Sequence, residues 1–97
     1  MRNRYLVSYD ICDPKRLRRV FKTMRGFGDA LQYSVFLCDL SPSERIILLE
    51  KLTPIINNRE DQVMLVNLGP ADGQSSERIE TLGRAMTETL DRMAIIV

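Results

Sequence analysis

The segment RYLVSYDI, residues 4–11, alternates aromatic or β-branched residues with others, which is typical of a β-strand that has one buried face. Tyr5, Val7 and Tyr9 are expected to share one face, and the residues between them the other. The predicted strand ends on an acid, Asp10, and a strongly basic segment follows almost at once. A carboxylate can hold a divalent cation and a basic helix can bind phosphate, so this arrangement indicates chemistry on a nucleic-acid backbone.

The basic residues of the chain are concentrated near its N-terminus. Residues 1–25 contain eight Lys or Arg and two Asp, a balance of +6, whereas residues 26–97 contain six Lys or Arg and eleven acids, a balance of −5. The two balances sum to the net charge of +1. Six Lys or Arg lie between Asp13 and Asp29 with no acid among them. A solvated helix face usually mixes charges of both signs, so the unmixed run favours contact with phosphate.

This basic run carries the signals of an amphipathic helix. Asp13 suits the N-cap and Pro14 the first helical position, while Gly26 and Gly28 are expected to end the helix. Its predicted buried stripe consists of Leu17, Val20, Phe21 and Met24. Its predicted opposite face consists of Lys15, Arg18, Arg19 and Lys22.

The sequence leaves two alternatives for the segment after the first helix but gives clear signals for a second helix. Residues 29–38 are read as a strand with a break near Gln32 and Tyr33, or as a tight hairpin of two short strands. The segment SPSE, residues 41–44, is a capping box with proline at the first helical position. The buried stripe of that second helix is predicted to be Ile46, Leu49, Leu52 and Ile56. Pro54 is expected to disturb its last turn.

The C-terminal part begins with a clear strand and becomes ambiguous. Residues 61–68 form a near-continuous apolar run that predicts a central strand. Residues 76–93 have helical propensity, yet residues 79–83 suit a short strand equally well. Residues 95–97 suit an edge strand that needs a partner.

The order of these elements predicts an α+β, ferredoxin-like βαββαβ sandwich with an antiparallel sheet. Residues 1–97 form one domain, in which residues 70–97 are a C-terminal extension. A sheet with helices on one face leaves apolar residues bare on the other, and together with a loose terminal strand this predicts a homodimer.

Several classes of function are excluded or made improbable by composition. The chain contains no histidine, and Cys12 and Cys38 lack CxxC spacing, so a zinc site is strongly disfavoured and a histidine-activated nucleophile is excluded. Two free thiols are expected, although a disulfide between the two strand ends stays open. No run approaches the roughly 20 apolar residues of a membrane span, so the protein is expected to be cytoplasmic and without a membrane partner.

Asp10 is the candidate catalytic and metal-binding residue. Two-fold packing would bring two copies of its carboxylate together, and such a pair can share Mg2+. That ion can polarise a phosphodiester and supply a hydroxide nucleophile. A turn-forming aspartate at a strand end is the competing interpretation. Tyr33 and Ser34 are candidates for a hydrogen bond to a phosphate or a water near Asp10.

The chain resembles a known family in three motifs taken together. They are Tyr9-Asp10-Ile11, then Asp13-Pro14 with Arg16, Leu17, Arg18 and Arg19, then Gln32-Tyr33-Ser34-Val35-Phe36. In order and spacing these motifs are similar to those of the small CRISPR-associated endonuclease, the partner of the CRISPR integrase in spacer acquisition. The likeness spans about residues 4–83.

This resemblance implies a homodimer in which a late strand crosses to the other protomer's sheet, which favours a strand over residues 79–83. It implies a magnesium-dependent nuclease that acts on single-stranded RNA or double-stranded DNA, with Asp10 as the metal ligand. The implied nucleic-acid-binding residues are Arg16, Arg18 and Arg19, beside Lys22 of the same basic face. Tyr9, Ser34 and Phe36 are implied as supporting residues. The family also has a non-catalytic role, in which the dimer bridges two integrase dimers and holds the protospacer duplex.

Three alternatives to a nuclease stay open at the level of sequence. A scaffold that binds duplex DNA and the integrase without cutting would use the basic face and leave Asp10 incidental. A ferredoxin-like module that binds a small ligand is disfavoured by the unmixed basic helix. A toxin-type ribonuclease of similar fold is a further possibility.

Overall fold

Four strands and two helices follow one another in the order that the sequence predicts. The computed structural model describes residues 1–72 and 79–83. Its elements are β1 (Asn3–Asp10), α1 (Pro14–Arg25), β2 (Asp29–Gln32), β3 (Val35–Leu40), α2 (Pro42–Leu52) and β4 (Gln62–Pro70). The strands form one antiparallel sheet in the order β2-β3-β1-β4. This is the ferredoxin-like arrangement, so the predicted fold class is confirmed.

Both helices pack on the same face of the sheet. Val7 and Tyr9 of β1 are buried against α1 and α2, as their alternation predicts. The strand register sets a second group of side chains on the opposite face, which we call the uncovered face. It consists of Arg4, Leu6, Ser8 and Asp10 of β1, Val35, Leu37 and Asp39 of β3, and Gln62, Met64 and Val66 of β4.

Helix α1 begins and ends at the predicted signals. The Asp13 carboxylate accepts a hydrogen bond from the Arg16 amide at 2.9 Å, and Pro14 is the first helical residue. Gly28 donates from its amide to the Met24 carbonyl at 3.1 Å. A Cβ atom at Gly28 would collide with the Leu37 carbonyl and approach the Cys38 sulfur to 2.6 Å, so only glycine fits where α1 leads into β2. Val20, Phe21 and Met24 are buried as predicted.

Helix α2 has the predicted capping box but only part of the predicted buried stripe. The Ser41 hydroxyl accepts from the Glu44 amide at 3.1 Å, and the Glu44 carboxylate accepts from the Ser41 amide at 2.9 Å. The core side of the helix is formed by Leu48 and Leu52, whereas Ile46 is 53% exposed. Apolar residues surround most of α2, so their spacing does not select one face and packing against the sheet decides it.

Within residues 1–72, strand β4 lies at an edge of the sheet, so its prediction as a central strand is wrong for this part of the chain. It pairs with β1 alone among the described strands. Its run is apolar because Val63 and Leu65 pack on the core while Met64 and Val66 lie on the uncovered face. Met64 is 50% exposed, and an apolar strand with one exposed side is what a partner surface would cover.

The structure decides between the alternatives for residues 29–40 and for the two cysteines, but part of the C-terminal predictions lies outside the described residues. Residues 29–40 form the hairpin alternative, with Tyr33 and Ser34 as its turn. Residues 79–83 lie in neither a helix nor a strand of this chain, and the predictions for residues 76–78 and 84–97 fall outside the described residues. Cys12 and Cys38 are free thiols, so the disulfide that the sequence left open does not form. Cys38 pairs with Tyr5 in the sheet, far along β1 from Cys12.

Candidate functional site

Asp10 is the last residue of β1 and lies on the uncovered face opposite Gln62 of β4. It is exposed, and its carboxylate receives no hydrogen bond or ion pair from residues 1–72 or 79–83. Neighbouring acids differ in this respect, because Asp13 caps α1 and Asp61 is fully engaged. Asp10 therefore presents two oxygen atoms to an external ligand.

The β2–β3 turn flanks Asp10 on one side. The Tyr9 amide donates to the Ser34 carbonyl at 3.0 Å, which fixes this turn against the end of β1. The Tyr9 ring stacks on Phe36 with centroids 6.3 Å apart, and burial raises the pKa of the Tyr9 hydroxyl. Tyr9 and Phe36 are core residues that hold the strands in place. Ser34 is partly exposed and Tyr33 is 53% exposed, so this turn is accessible to solvent beside Asp10.

On the other side of Asp10 the chain is held by Asp61, a residue that the sequence analysis did not single out. Its carboxylate accepts from the Cys12 amide at 2.9 Å and from the Asn57 amide at 2.8 Å. It also accepts from Arg16 Nε at 2.7 Å and Arg16 Nη2 at 3.2 Å. Four donors thus converge on one side chain that is fully shielded from solvent. We call Asp61, Arg16 and the Cys12 amide the Asp61 network.

The charges in the Asp61 network stabilise each other. The hydrogen bonds from Arg16 hold the pKa of the Asp61 carboxyl well below its usual range, and the same bonds raise the pKa of Arg16. Arg16 Nη2 also donates to Glu60 at 3.0 Å, and the Cys12 thiol donates to the Glu60 carbonyl at 3.0 Å. Asp61 and Arg16 are therefore both charged at neutral pH. Their bonds, with that from the Cys12 amide, connect the segment after β1 and the start of α1 to the loop before β4.

No sequence pattern indicates the Asp61 network. Asp61 follows the polar turn of residues 57–60 and precedes an apolar strand, where an aspartate ordinarily forms a turn. Its partner Arg16 is 45 positions away in the sequence. Only the folding of the two loops against each other brings these residues into contact.

The predicted basic face is present along α1. Arg18, Arg19 and Lys22 are exposed, together with Lys15 and Arg25. Arg16 differs, because its side chain is 23% exposed and engaged with Asp61 and Glu60. Helix α1 lies on the covered side of the sheet and Asp10 on the other, so the two features meet around the rim where β1 ends. A nucleic-acid strand that contacts both must pass over this rim.

Within the described residues, a single chain supplies few potential ligands for a metal ion. Within the described residues there is no group of three or more Cys, Asp or Glu side chains arranged to hold one. Asp10 thus offers a single carboxylate per protomer. Magnesium usually keeps several waters and takes one or two carboxylates, so the residue suits a shared site better than a cage within one chain.

An antiparallel βαββαβ sandwich with a free carboxylate at the end of β1 and a cationic first helix defines a class of small ferredoxin-like proteins suited to binding polyanions. Over residues 1–72 and 79–83, no helix has the length and apolar character needed to cross a membrane. Known proteins narrow this class further. The sequence model described as "CRISPR associated protein Cas2" matches residues 3–76, and the chain belongs to the CRISPR-associated Cas2 family.

Individual relatives agree with this family over nearly the whole chain. The protein named "CRISPR-associated endoribonuclease Cas2 1" of Rhodospirillum rubrum is 46% identical over 93 residues, which is 96% of this chain and 89% of the relative. The protein named "CRISPR-associated endoribonuclease Cas2" of Geobacter sulfurreducens is 41% identical over the full length of both chains, 97 residues. The crystal structure of Streptococcus pyogenes Cas2 is 38% identical, with a TM-score of 0.73, over 82% of this chain and 99% of that one.

Proposed function

We propose that this protein is a magnesium-dependent endonuclease that cleaves phosphodiester bonds of single-stranded RNA or double-stranded DNA as a homodimer. The observation that carries the proposal is the exposed Asp10 carboxylate, which no described residue engages, at the sheet rim beside a cationic helix. The relatives in Rhodospirillum rubrum and Geobacter sulfurreducens are named endoribonucleases, which supports nuclease activity in this chain. A location in the cytoplasm stays a prediction.

The uncovered face supports the homodimer. Met64 and Val66 expose apolar surface there, and Leu6, Val35 and Leu37 lie beside them only partly buried. Covering this face with a second copy would remove apolar area from water, at about 25 cal/mol per Å2. A two-fold axis near the end of β1 would then set the two Asp10 carboxylates against each other. The C-terminal strand that the sequence predicts to cross between protomers belongs to the same proposal.

The Asp10 carboxylates of the two protomers are the proposed magnesium ligands. When bound, the ion supplies electrophilic activation of the phosphodiester and of water. The exposed cations Arg18, Arg19 and Lys22 hold the phosphates of the substrate, and they do so without reading its sequence. Tyr9 and Phe36 keep the end of β1 rigid from within the core, while the Ser34 turn borders the path of the substrate.

The deciding experiment compares Asp10 with Glu50, an exposed carboxylate on α2 at the other side of the sheet. Asp10→Asn is expected to lower magnesium-dependent cleavage at least about 100-fold, since even residues behind the ligands of a metal commonly contribute 10- to 100-fold. Glu50→Gln likewise replaces an exposed carboxylate by its amide, but on α2 and away from the proposed dimer interface, and it is expected to retain cleavage within about twofold. Cleavage of RNA and duplex substrates is measured across a magnesium titration, with circular dichroism as the check on folding. Equal activity in the wild type and Asp10→Asn would refute the nuclease and point to a contaminant.

The homodimer has its own matched pair of variants. Val66→Asp introduces a charge on the uncovered face and is expected to convert the dimer to a monomer in light scattering. Ile46→Asp introduces the same charge at an exposed isoleucine of α2 and is expected to leave the dimer intact. A dimer that survives Val66→Asp but dissociates with Ile46→Asp would place the interface on the helices instead.

A non-catalytic scaffold is the second candidate, and the sparse set of metal ligands favours it. Within the described residues a single protomer holds no cluster of three potential ligands. In this role the dimer would bridge the CRISPR integrase and hold duplex DNA on its basic face. Arg18→Glu combined with Arg19→Glu should then abolish DNA binding and spacer acquisition, whereas Asp10→Asn should leave both intact. Loss of acquisition in Asp10→Asn with normal DNA binding would refute the scaffold as the whole function.

A further inference from the structure

We infer that Asp61 and Arg16 are positioning residues for the Asp10 centre, and that Arg16 is an internal tie rather than a phosphate ligand. The inference rests on the proposed nuclease function for its catalytic part. It departs from the sequence analysis, which grouped Arg16 with Arg18 and Arg19 as a nucleic-acid-binding residue.

The segment that follows Asp10 is held in place at Ile11 and Cys12. Cys12 lies two residues after Asp10, and its amide donates to Asp61 Oδ1 at 2.9 Å. Ile11 between them is buried in the core. The segment is therefore fixed on both sides of its turn, by apolar packing at Ile11 and by a charged acceptor at Cys12. Releasing Cys12 would free the end of β1 where the Asp10 carboxylate must meet its copy in the partner.

The Asp61 carboxylate that binds the Cys12 amide depends in turn on Arg16. The Asp61 side chain has no solvent-accessible surface, so its charge depends on the donors around it. The guanidinium of Arg16 supplies two of the four bonds through Nε and Nη2. Without this counter-charge the shielded carboxylate would lose its strongest partners. Arg16 therefore acts on Cys12, and through it on Asp10, by way of Asp61.

The Arg16 guanidinium is largely occupied by contacts within the protein, which limits its ability to bind a nucleic acid. An arginine has five N–H donors in a planar fork, and three contacts of this fork go to Asp61 and Glu60. The two acids next to it also make its surroundings unfavourable for a phosphate. Arg18 and Arg19 have exposed side chains and no such partners among residues 1–72 and 79–83. The phosphate-binding surface of α1 therefore consists of its exposed cations and excludes Arg16.

The test separates turnover from binding in full-length dimer. Asp61→Asn keeps the shape of the side chain but removes its charge and one of its two acceptor oxygens. We expect kcat to fall by about 10-fold or more, while KM and the nucleic-acid Kd change less than about twofold. Arg16→Gln, which leaves the helix intact, is expected to give the same result. Arg19→Ala is expected to raise Kd and to reduce the slope of log K against log salt by about 0.7 to 0.9, as one lost phosphate contact does.

Arg45→Ala removes an exposed helical arginine elsewhere and serves as the matched control for charge. Wild-type kcat in both Asp61→Asn and Arg16→Gln would overturn the positioning role. A salt slope that falls in Arg16→Gln as it does in Arg19→Ala would overturn the assignment of Arg16 as an internal tie. If Asp61→Asn does not fold, Arg16→Gln decides both questions.

The two proposals fail in different ways. Cleavage that persists unchanged in Asp10→Asn refutes the nuclease and, with it, the part of the inference that concerns a catalytic centre. The salt slope of Arg16→Gln is measured without metal or cleavage and still decides whether Arg16 contacts phosphate. Loss of cleavage in Asp10→Asn together with normal kcat in both Asp61→Asn and Arg16→Gln refutes the positioning role and leaves the nuclease standing.

Discussion

The two ends of β1 both carry arginine–carboxylate pairs, yet they are built differently. At the start of the strand Arg4 binds Asp39 through two hydrogen bonds of 2.7 and 3.0 Å, and Arg2 binds Glu44 through two of 2.8 and 2.9 Å. These carboxylates are 41% and 36% exposed. At the far end the Asp61 carboxylate is fully shielded and also receives two backbone amides.

This contrast shows which end of β1 has the more rigid geometry. Both carboxylates at the start of β1 are open to water, which screens these pairs and can replace a lost partner, although the Arg4 side chain is only 18% exposed. Loss of one pair there is expected to cost little stability. A shielded carboxylate with four donors has no water to replace a lost partner. The end of β1 that carries Asp10 is thus the end whose loops are tied together by charge.

The largest effect on stability is expected where α1 enters β2, on the half of the sheet that also carries Arg4 and Asp39. Gly28→Ala would force its Cβ against the Leu37 carbonyl and Cys38, and we expect the free energy of unfolding to fall by about 1–3 kcal/mol. The measurement is urea denaturation, with Gly26→Ala as the control, because a Cβ there makes only ordinary contact. Equal stability of the two variants would show that the backbone relaxes freely at this half of the sheet.

Acid is expected to release the two ends of β1 in order. Hydrogen bonds from Arg2 and the Ser41 amide lower the pKa of Glu44 to about 2. Hydrogen bonds from Arg16 and from two backbone amides hold the pKa of Asp61, whose carboxylate has four donors and no exposed surface, well below its usual range. Both folded values lie below the unfolded values of about 4, so this stability is complete above about pH 5 and is lost as the pH falls through each folded pKa. Carboxyl NMR titration should show Glu44 protonating at a higher pH than Asp61. The reverse order would contradict the distinction between the two ends.

The smallest effect is expected at the exposed pair nearest the N-terminus. Arg2→Ala removes the bond to Glu44 but leaves the Ser41 capping box, so the melting temperature should change by less than about 4 °C. The small difference should vanish in 1 M salt, where surface charges are screened. A large, salt-independent loss in calorimetry would mean that the start of β1 is as strongly tied as its end.

Local signals in the sequence anticipate much of the fold. The caps at Asp13 and Ser41 lie where predicted, because a cap depends on residues within one turn of it. The faces of β1 are also correct, since strand alternation has a period of two. The predicted buried stripe of α2 was right at Leu52 and wrong at Ile46, because Leu48 is buried in its place although both residues are apolar and helical.

Most of the candidate site residues were visible in the sequence, but their division of labour was not. Asp10 and the cations Arg18, Arg19 and Lys22 stand out by position and by charge, and the structure leaves all four exposed. Arg16 has the same residue type and the same helix, yet it alone of these arginines is engaged by Asp61 and Glu60. Nothing in a basic run distinguishes an arginine that faces solvent from one that meets an acid 45 positions away.

The βαββαβ order, the caps, the acid at the end of β1 and the basic helix all follow from the amino-acid sequence alone. The folded structure was needed to show that β4 is an edge strand among the described strands, which side of α2 is buried and that Asp61 binds Arg16 and Cys12. The two groups of features differ in how far apart in the sequence the interacting residues lie. Caps and alternation follow from backbone geometry over a few residues, whereas a shielded ion pair and a strand position arise only when distant segments exclude water from the same place.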